Sequence, residues 1–321
     1  MDGDIVELTE GDIADALALS IAAHWNQNAA DWTTMLRLGR GWGIRLRDER
    51  GREVLAASTL ALPYEGFAWI SMVLVLPGQR GRGLAARLLR HALAWLAARG
   101  LTPVLDATPA GRPVYLRHGF VDTWGFVRYR RDAATAPGAG AGAALRTRAL
   151  AEADWPAVAA LDAPAFGADR VLLLRMLARR LPAAARVLDG EGGRLRGFVL
   201  GRDGREAAQI GPLVAADDED AKALLADALA GVVGAVHADL CDHRDALQPW
   251  LRAQGFQPQR PFTRMVHEPP AQLAQPLQAE PPGNPAPPQK AKAPGNPAPP
   301  QKAKAPGDPA PCVLVAGPEL G

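Results

Sequence analysis

The chain has 321 residues, of which 48% are hydrophobic, and its formal net charge is +2. This length and composition support two ordinary globular domains, and the near-neutral charge gives no indication of a polyanionic partner such as nucleic acid. Its two cysteines, Cys241 and Cys312, argue against a disulfide framework and favour a reducing compartment.

The N-terminal stretch MDGDIVELTEGD is acidic and has no signal-peptide core. No apolar run approaches the ~20 residues that a membrane helix needs. We therefore predict a cytoplasmic protein with no membrane partner. Neither a CxxC pair nor a His/Cys cluster is present, so no metal site is predicted either.

The first 130 residues alternate between strand and helix patterns. Three consecutive strands joined by short turns predict an antiparallel meander, and the strand-helix-strand unit that follows predicts a right-handed parallel crossover. The patterns predict strands at 4–8, 42–47, 54–62, 67–75, 103–107 and 120–129, and helices over 13–25, 84–98 and around Trp32 and Tyr115.

The loop 80–85, Arg-Gly-Arg-Gly-Leu-Ala, connects the strand ending at Val75 to the next helix. Its glycines expose backbone N–H groups where the helix begins, and its arginines add positive charge, a combination typical of a phosphate site. A plain tight turn with solvated arginines is the alternative. The spacing matches neither a P-loop nor a dinucleotide-binding fingerprint.

With Arg80, Gly83 and Ala85 in register, this loop resembles motif A, R/Q-x-x-G-x-G/A, of the GCN5-related N-acetyltransferase (GNAT) family. The segment 114–120, VYLRHGF, is similar to the "LYxxxGF" segment of the same family. The resemblance covers residues 1 to about 131, and it implies a catalytic domain over 1–132.

The resemblance implies an acetyl-CoA site. In the family, the strand at 73–75 pairs with the pantetheine arm and directs an N–H to the thioester oxygen, while the loop binds the pyrophosphate. Thr108 stands where the family often has asparagine. The cofactor-binding residues implied are Val73, Leu74, Val75, Arg80, Gly81, Arg82, Gly83, Leu84, Ala85, Ala86 and Thr108.

Tyr115 matches the position of the family's general acid, which protonates the departing thiolate; a packing role is the alternative. No general base is evident. Asp106, at the end of a strand, and Glu65, in the preceding turn, are the nearest carboxylates by topology, although each also reads as a turn residue. A chain of water molecules is a further alternative.

After an Ala/Gly linker at 133–144, the region 145–268 echoes the first domain in the same order. Four acidic residues, 217–220, replace the phosphate loop, and Trp250 replaces the tyrosine. We therefore predict one bound CoA per chain and a degenerate second copy, as in tandem bacterial acetyltransferases. The predicted fold class is α/β (α+β), with two GNAT-like domains, each a mixed, mostly antiparallel sheet flanked by helices.

The Pro-rich end of the chain, 269–321, contains the 12-residue repeat GNPAPPQKAKAP. Such a composition buries too little apolar surface to offset chain entropy, so this tail is predicted to be disordered. Its removal is then expected to leave the melting temperature nearly unchanged.

The leading hypothesis is an acetyl-CoA-dependent N-acyltransferase that acetylates a primary amine, on a small molecule or a peptide, by direct transfer in a ternary complex. One alternative is a non-catalytic acyl-CoA sensor, and another is a peptide-binding scaffold recruited by the tail. The acceptor and the oligomeric state, monomer or homodimer, stay open.

Overall fold

The computed structural model describes residues 3–48, 50–132, 147–268 and 304–321. Within these ranges thirteen strands form one sheet, in the order β1-β2-β3-β4-β5-β12-β6-β11-β13-β10-β9-β8-β7. The strands are β1 (Ile5–Leu8), β2 (Arg40–Arg47), β3 (Glu53–Pro63), β4 (Phe67–Val75), β5 (Thr102–Ala107), β6 (Phe120–Arg131), β7 (Thr147–Ala149), β8 (Arg186–Asp189), β9 (Leu195–Arg202), β10 (Ala208–Ala215), β11 (Val236–Cys241), β12 (Gln257–His267) and β13 (Cys312–Leu314). The helices are α1 (Ile13–Ala22), α2 (Ala29–Leu38), α3 (Leu84–Ala97), α4 (Arg112–Leu116), α5 (Trp155–Phe166), α6 (Val171–Arg180), α7 (Asp218–Ala230) and α8 (Gln248–Ala253).

The predicted elements of the first domain are confirmed. β2, β3 and β4 form the antiparallel meander, and β4 and β5 pair in parallel on either side of the α3 crossover. α3 buries a stripe of leucines against the sheet, as its amphipathic spacing requires. None of the helices in the described ranges combines the length and the hydropathy needed to cross a bilayer.

The internal repeat is visible in local structure. In the first domain the carboxylate of Asp12 accepts a hydrogen bond from the backbone N–H of Thr9 at 2.8 Å, and in the second the carboxylate of Asp154 accepts one from Ala151 at 2.7 Å. Each bond closes a short 3-10 turn ahead of a helix. The strand, 3-10 turn and helix that open the first domain, β1 and α1, are thus repeated by β7 and α5 in the second.

The two domains share one sheet instead of each closing its own. β12, from the second domain, lies between β5 and β6 of the first, and β6 then pairs with β11 of the second. Buried ion pairs cross two of these three junctions: Arg264 of β12 pairs with Asp106 of β5, and Arg128 of β6 pairs with Asp239 of β11. Breaking such a buried pair typically costs about 3–5 kcal/mol, so the domains are expected to unfold together.

The C-terminal segment corrects the prediction of a disordered tail. Residues 304–321 are folded, and β13 pairs antiparallel with both β10 and β11. The prediction of disorder was based on the proline-rich composition of 269–321 as a whole. It therefore missed the apolar run CVLVA at 312–316, whose Val313 and Leu314 are buried. The predicted linker at 133–144 and the rest of the tail, 269–303, lie outside the described residues.

This segment also brings the two cysteines together. Cys241 on β11 and Cys312 on β13 are both free thiols, with their Sγ atoms 3.6 Å apart. The sequence placed Cys312 in the tail and did not suggest this proximity.

Candidate active site

The edge of β4 opens where the strand approaches the glycine loop. Pairing between β4 and β5 ends at Trp69 and Val104, so the following residues of β4 have no strand partner on that side among the described residues. A bulge accompanies the opening: Met72 has a φ of 51°, and its carbonyl accepts a hydrogen bond from the Ser58 hydroxyl at 2.8 Å. The backbone of 73–75 is thus available to pair with an extended ligand.

The glycine loop follows this open edge and leads into α3. Gly81 and Gly83 have φ values of 76° and 75°, in the left-handed region that favours glycine, and a Cβ atom added at either would meet only open space. α3 begins at Leu84, directly after Gly83, so its first N–H groups are free of helical partners. Loop and helix together present a terminus whose geometry suits an anion.

A cleft of about 680 Å³ runs along this edge and loop. Every cofactor-binding residue implied by the sequence lines it except Arg82, whose guanidinium donates to the Gln79 side chain instead. Arg117, which the sequence did not single out although it lies within the VYLRHGF segment, adds a further positive charge. The cleft is lined by Ala23, Trp25, Val73, Leu74, Val75, Gln79, Arg80, Gly81, Gly83, Leu84, Ala85, Ala86, Thr108, Ala110, Gly111, Val114, Arg117 and Arg260.

At its inner end the cleft meets a smaller cavity, here called the inner pocket, in which both domains take part. Cleft and inner pocket share Trp25, Val73, Thr108 and Arg260. The inner pocket is lined by Trp25, Asn26, Gln27, Ile70, Ser71, Met72, Val73, Asp106, Thr108, Tyr115, Arg128, Arg260, Phe262, Pro318 and Glu319.

Tyr115 lines the inner pocket from α4. Its ring packs edge-on against Phe120, with 5.8 Å between the ring centroids. Burial raises the pKa of the phenol to about 12, so the hydroxyl keeps its proton at neutral pH. This is the protonation state that a general acid needs.

The two carboxylates suggested by the sequence differ in position. Asp106 lines the inner pocket, but both of its oxygens accept hydrogen bonds from Arg264, at 2.9 and 3.0 Å; burial raises its pKa, and Arg264 opposes that rise. Glu65 is exposed in the turn before β4, at the opposite end of the strand from the bulge. The structure does not bring Glu65 to the pocket.

The sequence missed Glu319, which reaches the inner pocket from the C-terminal segment. This side chain is buried, with 1% of its surface exposed, and Oε1 accepts a hydrogen bond from Arg202. Oε2 has no hydrogen-bond partner in the described part of the chain. No local signal identified this residue, because its neighbours in the pocket, apart from the adjacent Pro318, are more than 190 positions away or belong to β12.

Two matches to family models identify the family of this chain. Residues 20–120 match the acetyltransferase (GNAT) family, and residues 158–276 match an acetyltransferase (GNAT) domain. The chain belongs to the GNAT acetyltransferase family. Both halves carry the domain, so it is a tandem GNAT protein, and the fold supports acyl transfer. Members of the family in general use acetyl-CoA.

Several solved structures share the fold. A Pyrococcus horikoshii protein provisionally assigned as an acetyltransferase is 21% identical, with a TM-score of 0.71 over 99% of this chain and 95% of that one. A tandem GNAT protein from the clavulanic acid biosynthesis pathway is 19% identical, with a TM-score of 0.58 over 82% and 97%. A GCN5-related N-acetyltransferase from Sphaerobacter thermophilus is 17% identical, with a TM-score of 0.59 over 82% and 95%. No curated protein sequence matches the chain significantly.

The second GNAT domain has the same strand gap, but the chain itself fills it. β10 and β11 pair in parallel only over 208–210 and 236–238, and β13 occupies the space beyond, where the first domain leaves β4 open. At the start of α7 the carboxylate of Asp217 caps the helix by accepting from the N–H of Asp220 at 2.9 Å. Negative charge thus occupies the helix terminus at which the first domain presents free N–H groups.

Proposed function

We propose that the protein transfers an acetyl group from acetyl-CoA to a primary amine, by direct attack of the amine in a ternary complex in the first domain. The observation that carries this proposal is the placement of the open β4 edge and the glycine loop along the cleft, and of Tyr115 in the inner pocket that adjoins it. The sheet gap of the second domain is filled by β13, so we expect one CoA per chain.

The groups lining the cleft fit acetyl-CoA. The free N–H groups at the start of α3, with Arg80 and Arg117, suit a pyrophosphate, and the unpaired β4 edge suits the amides of the pantetheine arm. A backbone N–H beyond the bulge at Met72 would stabilise the thioester oxygen as it gains negative charge.

Two side chains would handle the protons. Glu319 lines the inner pocket, and its Oε2 has no hydrogen-bond partner among the described residues; this carboxylate would accept the proton that the ammonium group of the acceptor must lose before attack. Tyr115 would donate its phenolic proton to the sulfur as the C–S bond breaks. Asp106 is less suited to the base role because Arg264 occupies both of its oxygens.

The proposal is tested by incubating the full chain with acetyl-CoA and a panel of amines and measuring free thiol. The proposed activity releases CoA with at least one amine, and calorimetry gives one CoA per chain. Acetyl-CoA binding without thiol release for any amine would instead support an acyl-CoA sensor. Absence of CoA binding would contradict both the acetyltransferase and the acyl-CoA sensor.

Replacing Tyr115 with phenylalanine is expected to lower kcat by roughly 10- to 1,000-fold, the lower part of the range for a general acid, because a thiol is acidic enough to leave as the thiolate with little help. CoA affinity should stay close to wild type, since the ring is kept. Tyr64→Phe is the matched control: it removes a phenol that does not line the pocket, and kcat should change less than threefold. Near-normal turnover in Tyr115→Phe would assign Tyr115 to packing.

Replacing Glu319 with glutamine is expected to lower kcat by about 100-fold or more, the usual contribution of a positioned base, while the amide oxygen keeps the bond to Arg202. The deficit should shrink as pH rises toward the pKa of the acceptor itself, about 8 for an α-amino group, because solvent then supplies the free amine. Glu65→Gln serves as control and should leave kcat unchanged. A pH-independent deficit would contradict the base role of Glu319.

A further inference from the structure

The inner pocket contains one arginine whose charge is not balanced by a carboxylate. Arg260, on β12, has no ion-pair partner among the described residues, and its buried Nε has no hydrogen-bond partner there. The other charged groups around it are matched. Asp239 pairs with Arg128, Asp106 with Arg264, Glu319 with Arg202 and Glu206 with Arg205.

Aromatic packing holds the guanidinium group of Arg260 in place. The guanidinium groups of Arg260 and Arg128 lie 4.8 and 5.4 Å from the centroid of the Phe262 ring. Phe262 in turn stacks on Phe126, with 4.9 Å between the ring centroids. Burial, followed by the proximity of Arg128, lowers the pKa of Arg260, and Asp239 opposes that shift. The carboxylate of Asp239 is already paired with Arg128.

Arg260 also lines a polar recess beside the inner pocket, here called the arginine recess, of about 250 Å³. Burial, then Arg128, lowers the pKa of His237 in this recess to about 3, so that imidazole is neutral at pH 7 and its buried Nδ1 has no partner in the described residues. Glu206, on the exposed rim, is paired with Arg205. The recess is lined by His24, Trp25, Asn26, Arg128, Glu206, His237, Gln259 and Arg260.

Resting on the proposed function, we propose that the acceptor amine also carries an anionic group, a carboxylate or a phosphate, which Arg260 binds at the junction of the inner pocket and the arginine recess. The same pocket is lined by Glu319, whose Oε2 has no partner among the described residues and would bind the ammonium group. An acceptor with both charges satisfies both groups, whereas a purely cationic amine leaves Arg260 unpaired. Since β12 supplies Arg260, the second domain selects the substrate of the first.

The test compares matched pairs of acceptors with the full chain: amino acids against their amides, and phosphoethanolamine against ethanolamine. For the preferred pair, wild type should show a kcat/KM at least about 10-fold higher for the anionic member. Arg260→Gln should lower that value by about 10- to 100-fold, the worth of a charge-assisted hydrogen bond, and leave the neutral member and the CoA Kd within about threefold. Arg194→Gln, in an exposed turn between β8 and β9, is the control for loss of one charge and should behave as wild type.

The two pairs separate carboxylate from phosphate as the anionic group. Equal loss for both members of a pair, or a CoA Kd raised more than about 10-fold, would place Arg260 in the CoA site and overturn the inference. If wild type releases no thiol with any amine, the proposed function fails. Calorimetry of the same anionic compounds with CoA present then tests the inference by itself. Binding to wild type that is lost in Arg260→Gln supports the inference. Equal binding to both proteins, or no binding to wild type, overturns it.

Discussion

Replacing Gly83 with aspartate is expected to raise the CoA Kd by about 100- to 1,000-fold while leaving the fold intact. The residue directly precedes α3, and its missing Cβ faces open space in the cleft, where the pyrophosphate is proposed to bind. Two like charges 4 Å apart repel by about 4 kcal/mol at an effective dielectric constant of 20, and the aspartate side chain also takes up the space that the phosphate needs. Isothermal titration calorimetry with CoA measures the effect.

Gly66→Asp is a close control for that variant. Gly66 has a φ of 78° against 75° for Gly83, and a Cβ there also meets open space, but it lies in the turn before β4, away from the cleft. Both variants carry the same backbone strain, which aspartate tolerates better than most residues, so their circular dichroism and Tm should agree. If Gly83→Asp binds CoA as tightly as Gly66→Asp does, the loop does not hold the pyrophosphate.

Replacing Leu314 with alanine is expected to lower the free energy of unfolding by about 2–5 kcal/mol, because the side chain is fully buried on β13 between β10 and β11. At about 2–4 °C per kcal/mol, the Tm should fall by roughly 4–20 °C. Differential scanning fluorimetry measures this shift. A disordered tail would give no shift at all.

The matched control is Leu172→Ala on α6, where 60% of the side chain is exposed. Its Tm should stay within about 2 °C of wild type, because exposed positions rarely contribute more than 0.5 kcal/mol. Leu314→Ala is also expected to lower kcat, since Glu319 lies five residues further along the same segment. If Leu314→Ala has normal stability and normal turnover, the C-terminal segment contributes neither to the core nor to the site.

The sequence by itself determined whatever depends on near neighbours in the chain. Apolar spacing located the elements of the first domain, and the pair of glycines before Leu84 indicated the helix-terminal anion site, because N–H groups and left-handed backbone are local properties. Three short sequence echoes in the same order, 8–12 with 150–154, 85–89 with 221–225 and 115–120 with 250–256, indicated the second domain for the same reason. The motif alone singled out Tyr115, which lines the inner pocket in the structure.

Only the tertiary structure decided which distant residues complete the pocket. Strand exchange brings Arg260 on β12 beside the first domain, and the pairing of β13 fills the gap between β10 and β11 and carries Glu319 inward. The periodicity of a strand does not indicate which distant strand it pairs with. The short apolar run of β13 was also missed because the composition around it is rich in proline. The conformation of the glycine loop was therefore predictable from the sequence, whereas the charges that would recognise the acceptor were brought together by the fold.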